Sequence, residues 1–244
     1  MHVLKITAQG LTTSFRYPHF MMSVQPTYEM PPPATLYGHI ASALGRWFDP
    51  AEAQFALHFT YERKIEDVET TILLKRATGK MPNNKALPKV LEGNANPFRR
   101  EILTFPRLTL YVNRPDWLDA FRRPRYAVAL GRSQDLFTYT QIQTVELEAR
   151  QKAYLEHTLL PYDFARHTAA GRVVLMPRWL GHERRQPRFQ RYVVLNRRVH
   201  TNQFYRFQGE AQAEFWTDPT APKFEGDPLG LVFLSWTDRV RPSA

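Results

Sequence analysis

The order in which two hydrophobic periods alternate constrains this chain more than any other feature. Residues 2–9 carry Val3, Leu4, Ile6 and Ala8 in the period-two manner of an opening strand. Residues 11–31 read mostly as loop, with Pro18, Pro26 and Pro31 as breakers. The period then changes. In PPPATLYGHIASALGRWF, Leu36, Ile40, Leu44 and Trp47 recur at helical spacing, with Tyr37, Ala41 and Phe48 beside them, which predicts a helix over 34–47. Proline suits the first turn of a helix, where the amide has no partner anyway. The small residues Gly38, Ala41, Ser42, Ala43 and Gly45 permit close packing on a sheet.

Residues 54–63 and 67–76 read as strands separated by Lys64–Glu66, and 77–98 as a loop rich in turn formers. Residues 100–112 alternate as one returning strand with an edge-type proline, Pro106. Asn113 as N-cap and Pro115 in the first turn predict a short second helix over 113–123. Residues 138–150 read as a further strand. The order is βαββαβ, so the expected class is α+β, with a ferredoxin-like (RRM-like) N-terminal domain over 1–150. Residues 151–244 are read as a mostly β C-terminal part packed on it, with strands at 172–176, 191–195, 203–216 and 229–236.

Charge is distributed unevenly over this frame. The 244 residues hold 33 Lys+Arg against 23 Asp+Glu, a net charge of +10. Between 75 and 100 stand Lys75, Arg76, Lys80, Lys85, Lys89, Arg99 and Arg100 against Glu92 alone. Between 178 and 200 stand Arg178, Arg184, Arg185, Arg188, Arg191, Arg197 and Arg198 against Glu183 alone. A near-neutral body with two basic arms points to a polyanion partner, the alternative being two solvated faces. The first arm and its flanks are read as a long basic β-hairpin projecting from the sheet. The second interleaves Arg with Trp179, Phe189 and Tyr192, a composition suited to phosphate and base stacking and read as a second nucleic-acid or assembly surface.

Much chemistry is absent. There are no cysteines, which removes disulfides, thiol nucleophiles and cysteine metal sites. No apolar run approaches the ~18 residues of a membrane span, and the first residues lack a signal-peptide core, so the expected protein is cytoplasmic with no membrane partner. No phosphate-binding glycine loop, dinucleotide fingerprint or hydrolase elbow occurs, and none of the eight histidines forms a helical ligand pair, so no metal, cofactor or catalytic residue is assigned. Metal-free RNA cleavage would need an acid–base pair around a 2′-hydroxyl, for which Tyr17, His19, Tyr28 and His39 are the raw residues.

Two segments carry a resemblance. FRYPHFMMSVQPTYEMPPPATLYGHIASALG, 15–45, resembles the N-terminal signature of the CRISPR-associated Cas-five family, where a proline turn leads into the first helix of an RRM-like fold. ALGRSQDLFTYTQIQTVEL, 129–147, resembles that family's Leu-Gly-Arg-Ser-Glu loop before the last strand, with Gln134 in place of the usual Glu. The resemblance implies an RNA-binding subunit of a type I Cascade surveillance complex, in overall look type I-B. Such a subunit holds the 5′ handle of crRNA, contacts the Cas-seven backbone subunit and the large subunit, and lies near target DNA.

The family's thumb hairpin, which lies across the RNA, corresponds to about 75–100 here. Gly131, Arg132 and Ser133 would offer amides, a guanidinium and a hydroxyl to the RNA, and Arg16, Tyr28 and Arg46 flank the proline turn. One branch of the family cleaves pre-crRNA with a Tyr and a Lys-His pair. This chain has no Lys-His dipeptide, Arg166-His167 being the nearest, so binding is favoured over a metal-independent endoribonuclease.

Overall fold

The computed structural model describes residues 1–20, 24–89, 91–166, 170–181, 186–201 and 214–238, with backbone alone at 91 and 92. Strand β1 (His2–Gly10) is flanked on both sides because its two faces are both apolar near the N-terminus. Leu4, Ile6 and Ala8 point to one core, and Val3 to a second core on the opposite face. Helix α1 (Pro33–Leu44) covers the first face with Leu36, Tyr37, Ile40, Ala41 and Ala43. Pro32 and Pro33 start it without a side-chain cap. It ends at Gly45, whose φ of +71° a Cβ would strain and whose Cβ position is occupied by Arg125. The helix is therefore shorter than the stripe predicted: Leu44 is half-buried and Trp47 lies exposed, stacked 5.8 Å from Tyr37. Trp236 fills the core instead, donating its Nε1–H to the Pro33 carbonyl at 2.7 Å.

Strand β2 (Gln54–Thr60) ends before Tyr61, so the break precedes Lys64 rather than including it. Strands β3 (Arg63–Arg76) and β4 (Leu91–Thr104) pair along their whole length as one ribbon, continued towards its tip by Lys80–Met81 and Asn84–Pro88. The predicted loop 77–98 is thus largely paired. A two-stranded ribbon has an open edge on each strand, which tolerates Pro97 opposite Thr70 and Gly93 opposite Leu74. The single returning strand expected over 100–112 is two. Phe105, at φ +47°, and Pro106 turn a corner between β4 and β5 (Arg107–Val112). Asn113 does not cap a helix; its side-chain oxygen accepts the Gln54 amide at 2.6 Å, and a 3₁₀ turn at Pro115–Trp117 leads into α2 (Leu118–Arg122). Strand β6 (Phe137–Glu146) stops at buried Leu147, and Glu148–Arg150 joins another sheet.

The C-terminal residues add a three-stranded sheet of Thr158–Pro161, β7 (Arg172–Leu180) and β8 (Pro187–Leu195). They also add β9 (Leu234–Ser235), which completes the main sheet in the order β6-β1-β5-β2-β9, every neighbouring pair antiparallel. The strand expected over 203–216 falls largely outside the described residues, which hold Phe215–Asp218. The run 229–236 splits into Leu229–Leu231 in the second five-stranded sheet and β9 in the first. The second core buries Tyr111 and Val145 under Tyr154, Leu229 and Leu231. Beside it, Lys5 donates to Asp218 at 2.6 Å and Tyr111 donates to the same carboxylate at 2.8 Å.

Candidate nucleic-acid interface

A cleft of about 700 Å³ opens where the loop after β1, the first turns of α1, the root of the ribbon, the loop before β6 and the β7–β8 hairpin meet. It is lined by Arg16, Arg100, Gly131 and Arg132 of the expected site, together with Ser14, Thr35, Gly38 and His39. Gly131 has φ +107°, and a Cβ there would meet Thr13 Oγ1 at 2.4 Å and the Ser14 carbonyl at 3.0 Å. Only glycine permits that approach, which seats the 129–135 loop on the segment after β1. Thr13 Oγ1 donates to the Leu130 carbonyl at 2.5 Å and holds the same seat.

The arginines differ in what they have left to offer. Arg132 donates Nε and Nη2 to Asp135 at 2.9 and 2.7 Å, and Nη1 to Glu69. Asp135 is fully buried, and its two carboxylate contacts with the guanidinium make a bidentate clamp. Those bonds raise the Arg132 guanidinium's already high pKa further, so Arg132 is a permanently charged brace between loop and ribbon. Arg100, nearly buried, gives Nε to the other Glu69 oxygen at 2.6 Å. Arg100 lines the cleft, as does exposed Arg16. Ser133 is exposed on the same loop. Glu69 and Asp135 were not among the site residues expected from the sequence. Asp135 stands three residues from Arg132, a usable signal, whereas Glu69 comes from a distant strand and left none.

Tyr28 is not at the surface. It is buried, stacks on Tyr17 at 3.6 Å, and donates its hydroxyl to the Leu175 carbonyl at 2.9 Å; burial pushes its pKa well above the phenol range. It therefore positions the proline loop against β7 rather than presenting itself to a ligand. Arg46 lies beyond the other end of α1, about 18 Å along a twelve-residue helix, and pairs with Glu52 at 3.4 Å. It does not line the cleft.

Lys75, Arg76, Lys80, Lys85 and Arg99 are exposed on the ribbon, and Lys89 is half-buried there. A fourteen-residue strand spans roughly 45 Å, so the ribbon reaches far beyond the core. Ladder alternation places Val68, Ile72, Leu74, Arg76 and Arg99 on one face and Glu69, Leu73, Lys75 and Arg100 on the other. Val68, Ile72, Leu73 and Leu74 are each more than 60% exposed, so apolar and cationic groups alternate in solvent.

In the second arm, Arg184 and Arg185 lie outside the described residues. Arg178 is committed to the Ser235 carbonyl and Asp238, and Arg198 to Glu156 and the face of Phe224. Arg188 lies over Trp179 and Arg191 over Tyr162, while Arg197 is exposed. The hairpin is not remote from the cleft: Pro177, Leu180, Pro187 and Phe189 form one of its walls.

Of the acid–base candidates, His39 is buried with Nδ1 on the Ala129 carbonyl at 2.9 Å and Nε2 on the Tyr139 hydroxyl at 3.1 Å. A carbonyl only accepts, so Nδ1 carries the proton and Nε2 accepts from Tyr139. Burial lowers the His39 pKa and keeps the ring neutral. His19 is exposed, its ring centroid 5.6 Å from that of Phe189. His58 and His157 meet at 5.4 Å beside Glu156, outside the cleft. Among the described residues no group of His, Asp and Glu gathers to hold a metal, and no helix is long and apolar enough to cross a membrane.

No family model and no curated protein matches the chain. Solved structures do. A CRISPR protein from Archaeoglobus fulgidus aligns with a TM-score of 0.46 at 9% identity, over 96% of this chain and 99% of that one. A chain of Type III-B Cmr-beta bound to cognate target RNA and AMPPnP aligns with a TM-score of 0.46 at 9% identity, over 83% and 86%. A chain of a CRISPR RNA-guided surveillance complex aligns with a TM-score of 0.52 at 16% identity, over 81% of this chain and 89% of that one. At that identity the likeness is one of fold: this α+β chain shares its architecture with a chain of an RNA-guided surveillance complex.

Proposed function

We propose that the chain is a non-catalytic RNA-binding subunit of a type I CRISPR Cascade that caps the 5′ handle of crRNA. The observation that carries this reading is the cleft itself, which joins Arg16, Arg100, the Gly131–Arg132 loop and the first turns of α1 at the root of an exposed basic ribbon. Guanidinium edges and a glycine-tight loop suit a phosphate backbone, and the ribbon's cationic and apolar groups suit a strand laid across it. The strand order supports a ferredoxin-like βαββαβ core, since β6, β1, β5 and β2 lie side by side, the fourth, first, third and second of these four strands in chain order. The likeness of fold to a surveillance-complex chain points the same way. On this reading the neighbours are a Cas-seven backbone subunit and the large subunit, target DNA passes nearby, the compartment is the cytoplasm, and the subtype follows the type I-B resemblance. Binding is favoured over cleavage because Tyr28 and His39 spend their polar atoms inside the protein.

The test is a gel shift of the purified chain with labelled repeat-handle RNA in EDTA. An intact, shifted band that outcompetes random RNA, with log affinity falling linearly in log salt, is expected. Cleavage in EDTA would establish an endoribonuclease instead, and equal competition by random RNA a general RNA binder; either result overturns the proposal.

A further inference from the structure

The cleft has two chemically different walls, and the second was not foreseen as part of it. One wall is cationic and hydroxylic, with Arg16, Arg100, Ser14 and Thr35. The other comes from the β7–β8 hairpin, where Pro177 pairs across the ladder with Phe189 and Leu180 with Pro187. Those four side chains offer neither donor nor acceptor, only flat or aliphatic surface. Phe189 is half-buried, and the exposed His19 ring lies 5.6 Å from it, inclined by 30°. Gly38 leaves the helix side open, with nothing within 4 Å of where its Cβ would stand. The volume of about 700 Å³ falls within the ~300–1,000 Å³ of small-ligand sites.

We propose that this cleft is a pocket for a single unstacked nucleotide of single-stranded RNA, its base lying on the Phe189 wall and its phosphate on the Arg16 and Arg100 side. The inference rests on the RNA-binding reading above and adds the class of group recognised and the role of the hairpin. The base-facing wall reads shape rather than hydrogen bonds, and His39 has both ring nitrogens engaged, so base identity matters little at this position.

The probe is a fluorescein-labelled eight-nucleotide single-stranded RNA titrated into the full chain, then the same RNA with one abasic site at each position in turn. One abasic position should weaken binding sharply and the others little. Phe189→Ala should weaken the parent RNA about 5- to 100-fold, the scale of one lost stacking contact, with an unchanged salt slope. It should not weaken further the RNA lacking that base. Phe189→Trp should restore affinity. A 2-aminopurine at the sensitive position should be quenched by wild type and not by Phe189→Ala, with melting curves confirming that the variants fold. Arg16→Gln should instead lower the salt slope by about one. If Arg16→Gln and Arg100→Gln weaken binding while Phe189→Ala and every abasic site leave it unchanged, the base pocket is refuted and the RNA reading stands. If neither class of variant matters, the RNA reading of the cleft fails as well.

Discussion

Replacing Asp218 by Ala should unfold this protein well below its normal melting temperature. Asp218 has no exposed side-chain surface, and its partner Lys5 is 9% exposed. The carboxylate accepts from Lys5 at 2.6 Å, from Tyr111 at 2.8 Å, and from the hydroxyl and amide of Thr220 at 2.6 and 2.8 Å. Removing it strands an ammonium and a phenol between β1, β5 and the C-terminal cover. Breaking one side of such a pair costs about 3–5 kcal/mol. For a domain of this size each kcal/mol moves Tm by about 2–4 °C, so a fall of about 6–20 °C is expected. Lys5→Met should cost less, because Asp218 keeps three donors. The double variant Lys5→Met, Asp218→Leu should recover part of the loss, because no charge then remains buried.

Burial would raise the Asp218 pKa, but the bonds from Lys5, Thr220 and Tyr111 outweigh it and hold the carboxylate below its ordinary 3.8. Its contribution is therefore present above that value and lost as pH falls through the folded value. Thermal melts of the three variants at neutral pH, with a wild-type acid titration, test the argument. An Asp218→Ala Tm within about 2 °C of wild type, or strict additivity in the double variant, would refute it.

Charge reversal of Lys80, Lys85 and Lys89 on the ribbon should weaken RNA retention and flatten its salt dependence, read by crRNA content after purification; normal content with an unchanged slope would refute the ribbon's role. Gly38→Ala should stabilise α1 by up to about 1 kcal/mol, while Gly38→Phe should fold normally in a thermal melt and lose RNA binding as the cleft fills. Gly131→Ala should lower Tm, since φ +107° and the 2.4 Å approach to Thr13 leave no room for the methyl group. Burial holds His39, His58 and His157 below the ordinary histidine value, so wild-type stability in urea should decline as pH falls below about 6.5; a flat profile from pH 7 to 5 would contradict their burial.

What local chemistry encodes was legible in the chain. Alternating apolar residues marked β1 and β2, and the proline run marked the start of α1, though the apolar stripe hid its stop at Gly45. Unbalanced charge marked the ribbon as a solvent-exposed arm. Where long-range pairing decides, the linear pattern was silent or misleading. The run 100–112 alternates without interruption, yet the left-handed turn at Phe105 sends its halves into different sheets, because only assembly tells a corner from a strand. Leu44 and Trp47 carry the helical stripe, but Trp236, some two hundred residues away, occupies the core they were expected to fill. A basic residue likewise does not announce its partner: Arg132 is spent on Asp135 and Glu69, and Arg178 on Asp238. The hairpin and the proline loop share one cleft because the tertiary fold brings Tyr28 onto Leu175. Periodicity is a property of neighbours in sequence, whereas a site is made by neighbours in space, whose register and charge pairing are settled only when the sheets close.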